Sequence, residues 1–196
     1  MAKEVDTQAI DQIFLKARSF IAYTPEELDD KKIEALYELF KWGPTCVNCQ
    51  SGRFIFVRSK EAKERLKPCL NPGNVPKVES AAATVIVSYD TKFYEFLPIQ
   101  WLAYDASAMY RDNPVLSEET AFRNSSLGGA YLIMAARALG LDCGPMSGFD
   151  NGKVNQEFFP DGRFKSNFLI NIGHGKPDGF YPRGPRLPYE QVVKIL

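Results

Sequence analysis

Apolar residues fall at helical spacing over Thr7 to Phe20, where Ile10, Ile13, Phe14 and Ala17 share a face, and again over Asp29 to Phe40, through Ile33, Leu36, Tyr37 and Phe40. Both segments are expected as amphipathic helices. Between them, TPEEL sets Thr24 ahead of Glu27 with Pro25 at the first helical position, a start signal for the turn leading into the second helix. Short runs rich in Val, Ile and Phe at Arg53 to Arg58, Ala83 to Tyr89 and Asn167 to Ile172 are bounded by turn-forming residues and predict largely buried strands. A longer helix, the most apolar of the chain, is expected from about Ser117 to Leu139, stopped by Gly140.

Inside that helix Gly128 and Gly129 each cost about 1 kcal/mol relative to Ala, so another backbone or a ring is expected to come close there. A second helix of the same or another subunit would fit. Helices and strands in this mixed order predict an α+β sandwich in one domain over residues 1–196. No internal repeat or low-complexity tract interrupts it. The Pro- and Gly-rich stretch from Gly173 to Pro188 reads as an extended tail, because Phe180, Tyr181, Leu187 and Tyr189 need somewhere to pack.

The chain has 196 residues, 45% of them apolar, enough for a sizeable core. Acidic and basic side chains balance at 24 each, so no global field favours nucleic acid or an anionic membrane, and any anion site must be local. No apolar run reaches membrane-spanning length, and MAKEVDTQAIDQ lacks the segments of a signal peptide, so a cytoplasmic protein is expected. Cys46, Cys49, Cys69 and Cys143 are expected as free thiols. The CxxC of Cys46 and Cys49 lacks the second ligand pair of a zinc site, and it precedes a strand where a thioredoxin-like motif would open a helix. The one histidine, His174, lies in INIGHGKPDG, whose glycines have the wrong spacing for a dinucleotide loop; a turn residue is the plain reading.

Two blocks carry more chemistry. KWGPTCVNCQSGR at Lys41 to Arg53 offers a turn, a hydroxyl, a thiol and an amide ahead of a strand, and GPMSGFD at Gly144 to Asp150 offers backbone amides freed by glycines. Together they suit a flat polar heterocycle held by fixed hydrogen bonds, as a flavin requires.

These blocks, with RSF near the N-terminus, NVPK before a strand and PRGPRLPYEQVV at the end, resemble in order the FMN-dependent nitroreductase family over nearly the whole chain. Within it, DTKFYEFLP, EETAFRNSS and GPMSGFD look closest to the malonic semialdehyde reductases. The resemblance implies a sandwich of a mostly antiparallel sheet with helices, forming an intertwined homodimer with FMN sites at the subunit interface. The glycines of the long helix would then sit where subunits pack, and the tail would wrap around the partner.

By the same resemblance, Arg18, Ser19, Arg183 and Arg186 meet the FMN phosphate, a dianion that needs fixed positive charge and hydroxyl donors. The family's further basic residue after the serine is Ile21 here, and the two tail arginines stand further apart than usual. Asn74 and Lys77 match the pair that meets the ring edge; without the resemblance they read as a loop Asn and a surface Lys. Pro44, Thr45, Cys46 and Asn48 match a segment that reaches the flavin from the other subunit, while Ser51 and Gly52 replace the Pro and Trp usual after its Gln. Gly148 matches the residue whose N–H points at flavin N5, with Ser147 beside it and Pro145 in the same block.

No catalytic side chain and no metal are expected, since the cofactor carries the hydride. The implied reaction is ping-pong transfer from NADH or NADPH to a small carbonyl, malonic semialdehyde giving 3-hydroxypropionate. Phe93 and Tyr94 are candidate roof residues over the flavin, or core, and Arg123 is the candidate for an acceptor carboxylate. A broad nitroaromatic or quinone reductase and a non-catalytic flavin carrier or sensor are the alternatives.

Overall fold

The computed structural model describes residues 3–196. One antiparallel sheet of four strands, β1 (Gly52–Val57), β2 (Ala83–Asp90), β3 (Asp142–Met146) and β4 (Phe164–Gly173), runs in the order β1-β2-β4-β3. Its register sets Ile55 opposite Ile86, Ile86 opposite Leu169, and Pro145 opposite Ile170. Every residue of β2 is buried, as expected of a central strand covered on both faces. Around the sheet lie α1 (Thr7–Ile10, continued as a π turn over Asp11–Leu15), α2 (Asp30–Phe40), α3 (Lys60–Leu66), α4 (Val75–Ser80), α5 (Leu97–Gln100), α6 (Ser107–Arg111), α7 (Pro114–Ala138), α8 (Asn151–Phe158) and α9 (Tyr189–Val192). None of these helices is long and apolar enough to cross a membrane.

Alternation along the strands sorts the core into two layers. Val85, Val87, Ile170 and Ile172 point at Leu36 and Phe40 of α2 and at Leu132 and Ala136 of α7. Ile86, Leu169 and Val57 point the other way, at Leu66 of α3, Val78 of α4 and Val154 of α8. A smaller cluster of Cys49, Tyr89, Phe93, Leu97 and Tyr110 closes one end. The α+β sandwich read from the sequence is the observed architecture.

Several boundaries differ. The first helix ends at Leu15, because Ser19 and Phe20 leave it to pair with Cys143 and Phe180 as extended backbone. The Thr24 hydroxyl bonds Glu26 Oε1, and the cap of α2 is Asp29, whose carboxylate accepts from Lys32 N at 2.7 Å. Strand β3 was not expected: its sequence, DCGPM, has no β-branched residue, and pairing with β4 supplies the conformation that local propensity does not.

The glycines of α7 admit rings. A Cβ on Gly129 would lie 2.4 Å from the Phe168 ring and 3.3 Å from Val87, and one on Gly128 would lie 3.0 Å from the Phe54 ring. The close approach is therefore that of rings from the chain's own sheet, the ring alternative of the expectation. The tail also meets its own chain, where Phe180 pairs with Phe20 and Arg183 Nη2 donates to Leu15 O and Ala17 O. Beyond it, Leu187, Tyr189 and Val192 are exposed.

At the end of β2, Asp90 is 1% exposed and held between two guanidinium groups, Arg53 at 2.8 Å and Arg163 at 3.1 Å. Its Oδ1 also accepts from Lys92 N at 2.9 Å. Removing such a carboxylate leaves two arginines facing each other across a buried gap.

Asp90→Asn is therefore expected to lower the unfolding free energy in urea by about 3 kcal/mol, the low end for a broken buried pair because both arginines reach water. Gly129→Ala gains about 1 kcal/mol of helix propensity but overpacks the Phe168 ring by about 1–3 kcal/mol. A lower melting temperature is expected, and a raised one would show that the ring has room to move.

Candidate functional site

Strand β3 lies at the sheet edge, where Pro145 can sit without an N–H to donate. Its open side is not left to solvent: Phe20 N donates to Cys143 O at 3.0 Å, and Ser19 bridges Cys143 in parallel. Gly144 makes this crossing possible, since a Cβ there would lie 2.2 Å from Phe20 O and 2.6 Å from the Tyr23 hydroxyl. The same segment carries the tail, through Ile21 N to Gly179 O at 2.7 Å and the edge-to-face rings of Phe20 and Phe180 at 5.1 Å.

Stitching these segments together gathers arginines. Arg18 lies over the Phe180 ring, 4.4 Å from its centroid, and its Nη2 donates to Tyr181 O. Arg183 Nη2 donates to Leu15 O at 2.7 Å, and Arg186 Nη1 to Gly184 O at 3.0 Å. A cavity of about 310 Å³ opens between them, lined by Arg18, Ser19, Arg183, Arg186 and also Arg137 of α7. No Asp or Glu lines it. The expected phosphate residues thus converge within one chain.

The other end of β3 leads to the amide group. Asn74 Nδ2 donates to Gly148 O at 2.8 Å, and Lys77 Nζ donates to Asn74 Oδ1 at 2.9 Å. Asn74 precedes α4 and Lys77 lies one turn into it, so the two stand at i, i+3 on one face. Lys77 is half-buried and, among the described residues, has no carboxylate partner. Asn71 N also donates to Gly148 O, at 3.0 Å, and Leu70 bridges Phe149, so Ser147 and Gly148 are held from outside the sheet. A Cβ on Gly148 would lie 2.6 Å from Asn74 Nδ2. Gly148 is five residues beyond Cys143, about 16 Å at the rise of a strand.

Pro44, Thr45, Cys46 and Asn48 lie elsewhere. They lead into β1, at the sheet edge opposite β3, about 14 Å away across the strands. Cys46 N donates to Asn124 Oδ1 at 2.8 Å, Asn48 Nδ2 to Gln100 O at 3.0 Å, and Gln50 N to the Thr45 hydroxyl at 3.2 Å. Val47, Asn48 and Gln50 hold positive φ of 46°, 50° and 41°, a strained run that these side-chain bonds fix. The exposed Cys46 sulfur is 3.5 Å from the Tyr110 hydroxyl.

The acceptor-side candidates do not converge. Phe93 is fully buried against Tyr110, with ring centroids 5.0 Å apart, and belongs to the core, so it roofs no pocket. Tyr94 borders a shallow polar cavity of about 260 Å³ with Tyr110, Glu118 and Lys165. Arg123 stands exposed on the outer face of α7 beside Phe122 and Leu127, with no ion pair among the described residues.

The remaining reactive groups are structural. Burial pushes the Cys143 thiol up to about 12 and raises that of Cys49, which keeps both protonated and inert at neutral pH. His174 Nε2 pairs with Glu26 at the surface, 3.5 Å away. No cluster that could hold a metal ion exists among the described residues. Sequence reasoning missed Asn71, hidden in the NPGN loop, and Arg137, which reads as an ordinary cation in the last turn of a helix.

The model of the Nitroreductase family matches residues 15–174. A protein from Rhodopseudomonas palustris, provisionally named NADH dehydrogenase/NAD(P)H nitroreductase, is 52% identical over 196 residues, covering 100% of both chains. A protein of the same provisional name from Polynucleobacter asymbioticus is 48% identical, again over 100% of both. A structure from Exiguobacterium sibiricum, provisionally named a nitroreductase and solved in complex with FMN, matches with a TM-score of 0.86 at 23% identity over 100% of both chains, which shows the shared fold.

Gly148→Ala tests the packing of the amide end. The added methyl is expected to displace Asn74 and cost about 1–3 kcal/mol, a drop of several degrees in melting temperature. A neutral melt would mean that the Asn74 to Gly148 bond is loose.

Proposed function

The chain belongs to the nitroreductase family, and we propose that it is an FMN-dependent oxidoreductase that passes hydride from NADH or NADPH to a small carbonyl, malonic semialdehyde giving 3-hydroxypropionate. The observation that carries the cofactor reading is the pairing of two unlike half-sites along β3. At one end is a cavity walled by arginines without carboxylates; at the other is an amide and ammonium group around a glycine whose Cβ would collide with Asn74.

The donor set fits FMN at both ends. Arg18, Arg183, Arg186 and the Ser19 hydroxyl suit a phosphate dianion. Asn74 and Lys77 suit ring carbonyls, and the Lys77 ammonium would offset negative charge arriving on the ring. Gly148 permits a flat ring to approach the backbone, with Ser147 and Pro145 holding the strand end in place. FMN, when bound, supplies the two-electron hydride chemistry. The chain supplies position, holding donor and acceptor in turn in one slot, which accounts for ping-pong order.

A homodimer completes this reading. Trp42, Ile99, Leu102 and Val115 are each at least 70% exposed, and Tyr189, Val192 and Ile195 of the tail are exposed too, so a second subunit would have apolar side chains to cover. In such a pair, the Thr45, Cys46 and Asn48 segment of one subunit would meet the Gly148 end of the other. A second reading, a broad nitroaromatic or quinone reductase, is favoured by the names of the relatives from R. palustris and P. asymbioticus.

Anaerobic stopped-flow mixing of the FMN-loaded protein with NADH or NADPH, then with malonic semialdehyde, separates the readings. Fast bleaching of the flavin band and fast recovery are expected. Recovery only with nitroaromatics or quinones would move the assignment to the second reading, and a band that never bleaches would leave a flavin carrier or sensor.

A further inference from the structure

We propose that Arg137 is a ligand of the cofactor phosphate, placed in the arginine cavity by the last turn of α7. The assignment rests on the flavin reading above for the identity of the anion and on the geometry for its existence.

Four arginines, Arg18, Arg137, Arg183 and Arg186, line a cavity of about 310 Å³ that contains no acidic side chain. None of the four forms an ion pair among the described residues; the nearby Asp11 is taken by Lys16 at 2.7 Å, and Asp142 accepts from Gly175 N at 2.9 Å. Since acidic and basic residues number 24 each, this concentration of positive charge is local and is not a reflection of net charge. Like charges so placed repel one another unless an anion sits between them.

Arg137 is also the member of the four with a buried donor left without a partner among the described residues. Its Nη1 donates to Ile13 O at 3.0 Å, which accounts for one donor; its Nε is buried and has no partner. A guanidinium has five N–H donors in a fixed plane and cannot shed its charge, so a buried edge without acceptors is costly. Phosphate, with several acceptor oxygens, would answer the charge of this guanidinium where it lines the cavity. The backbone around it is already fixed, because Gln12 Nε2 donates to Arg137 O at 2.6 Å. Arg137 thus joins the core helix to the anion cavity, whereas Arg18, Arg183 and Arg186 come from extended segments.

Dissociation constants of FMN and of riboflavin, which lacks the phosphate, measured by fluorescence quenching on the apo-protein, test this in wild type, Arg137→Gln and Arg137→Lys. Arg137→Gln should weaken FMN about tenfold or more, leave riboflavin within about twofold, and flatten the dependence of FMN binding on salt; Arg137→Lys should recover most of the loss. Equal losses for both flavins, or none for FMN, would overturn the assignment. If the wild type binds neither flavin, the cofactor reading falls, and inorganic phosphate decides for Arg137 alone. A thermal shift with phosphate that Arg137→Gln abolishes would keep it as an anion ligand; an undiminished shift would overturn that too.

Discussion

The bare backbone of Gly144 is the constraint on which the candidate site depends. Any side chain there would run into Phe20 O and the Tyr23 hydroxyl, and the N-terminal segment could not lie along β3. That crossing pairs Ser19 with Cys143 and Phe20 with Phe180, so a single contact brings three distant stretches of chain to one strand. Arg18 and the tail arginines meet only because of it. Tyr23, 2% exposed and bonded to Phe20 O and Asn171 O, locks the crossing from below.

Charge is handled in opposite ways at the two ends of the molecule. Around Asp90, two arginines converge on one buried carboxylate and a second carboxylate, Glu95, lies 2.9 Å from Arg163, so the charges are answered within the chain. Around β3, among the described residues, the arginines meet backbone carbonyls and the Phe180 ring but no carboxylate, and Lys77 meets an amide. A protein with balanced charge that leaves its cations unanswered in one place has stored binding capacity for an anion there.

The sheet and the main helices were legible because their patterns are strong: β2 centres on the apolar run Val85, Ile86 and Val87, and α2 repeats its apolar face over 11 residues. What was illegible depended on partners. DCGPM becomes a strand only beside β4, and the Thr7 helix stops where an isolated bridge takes over from local propensity. In the site, Asn74, Lys77 and Gly148 were named by motif, and they do meet. The Phe93 to Tyr94 cluster reads equally as wall or core, because a short 3-10 turn has no period long enough to assign a face; Phe93 turned inward. Arg137 carried no signal, since the cavity it lines is assembled from three separate stretches of chain, around Arg18, Arg137 and Arg183.

The placement of the two residue groups at opposite edges of the sheet, β1 and β3, shapes how the molecule can change. They share no helix, no turn and no strand, so within one subunit a substitution in the Thr45 to Gln50 segment reaches the Gly148 end only through the width of four strands. In a homodimer of the kind proposed, the strained turn of one subunit would face the β3 cradle of the other. An architecture divided in this way makes each site the joint property of two chains, so that one altered turn would change the partner's site before its own.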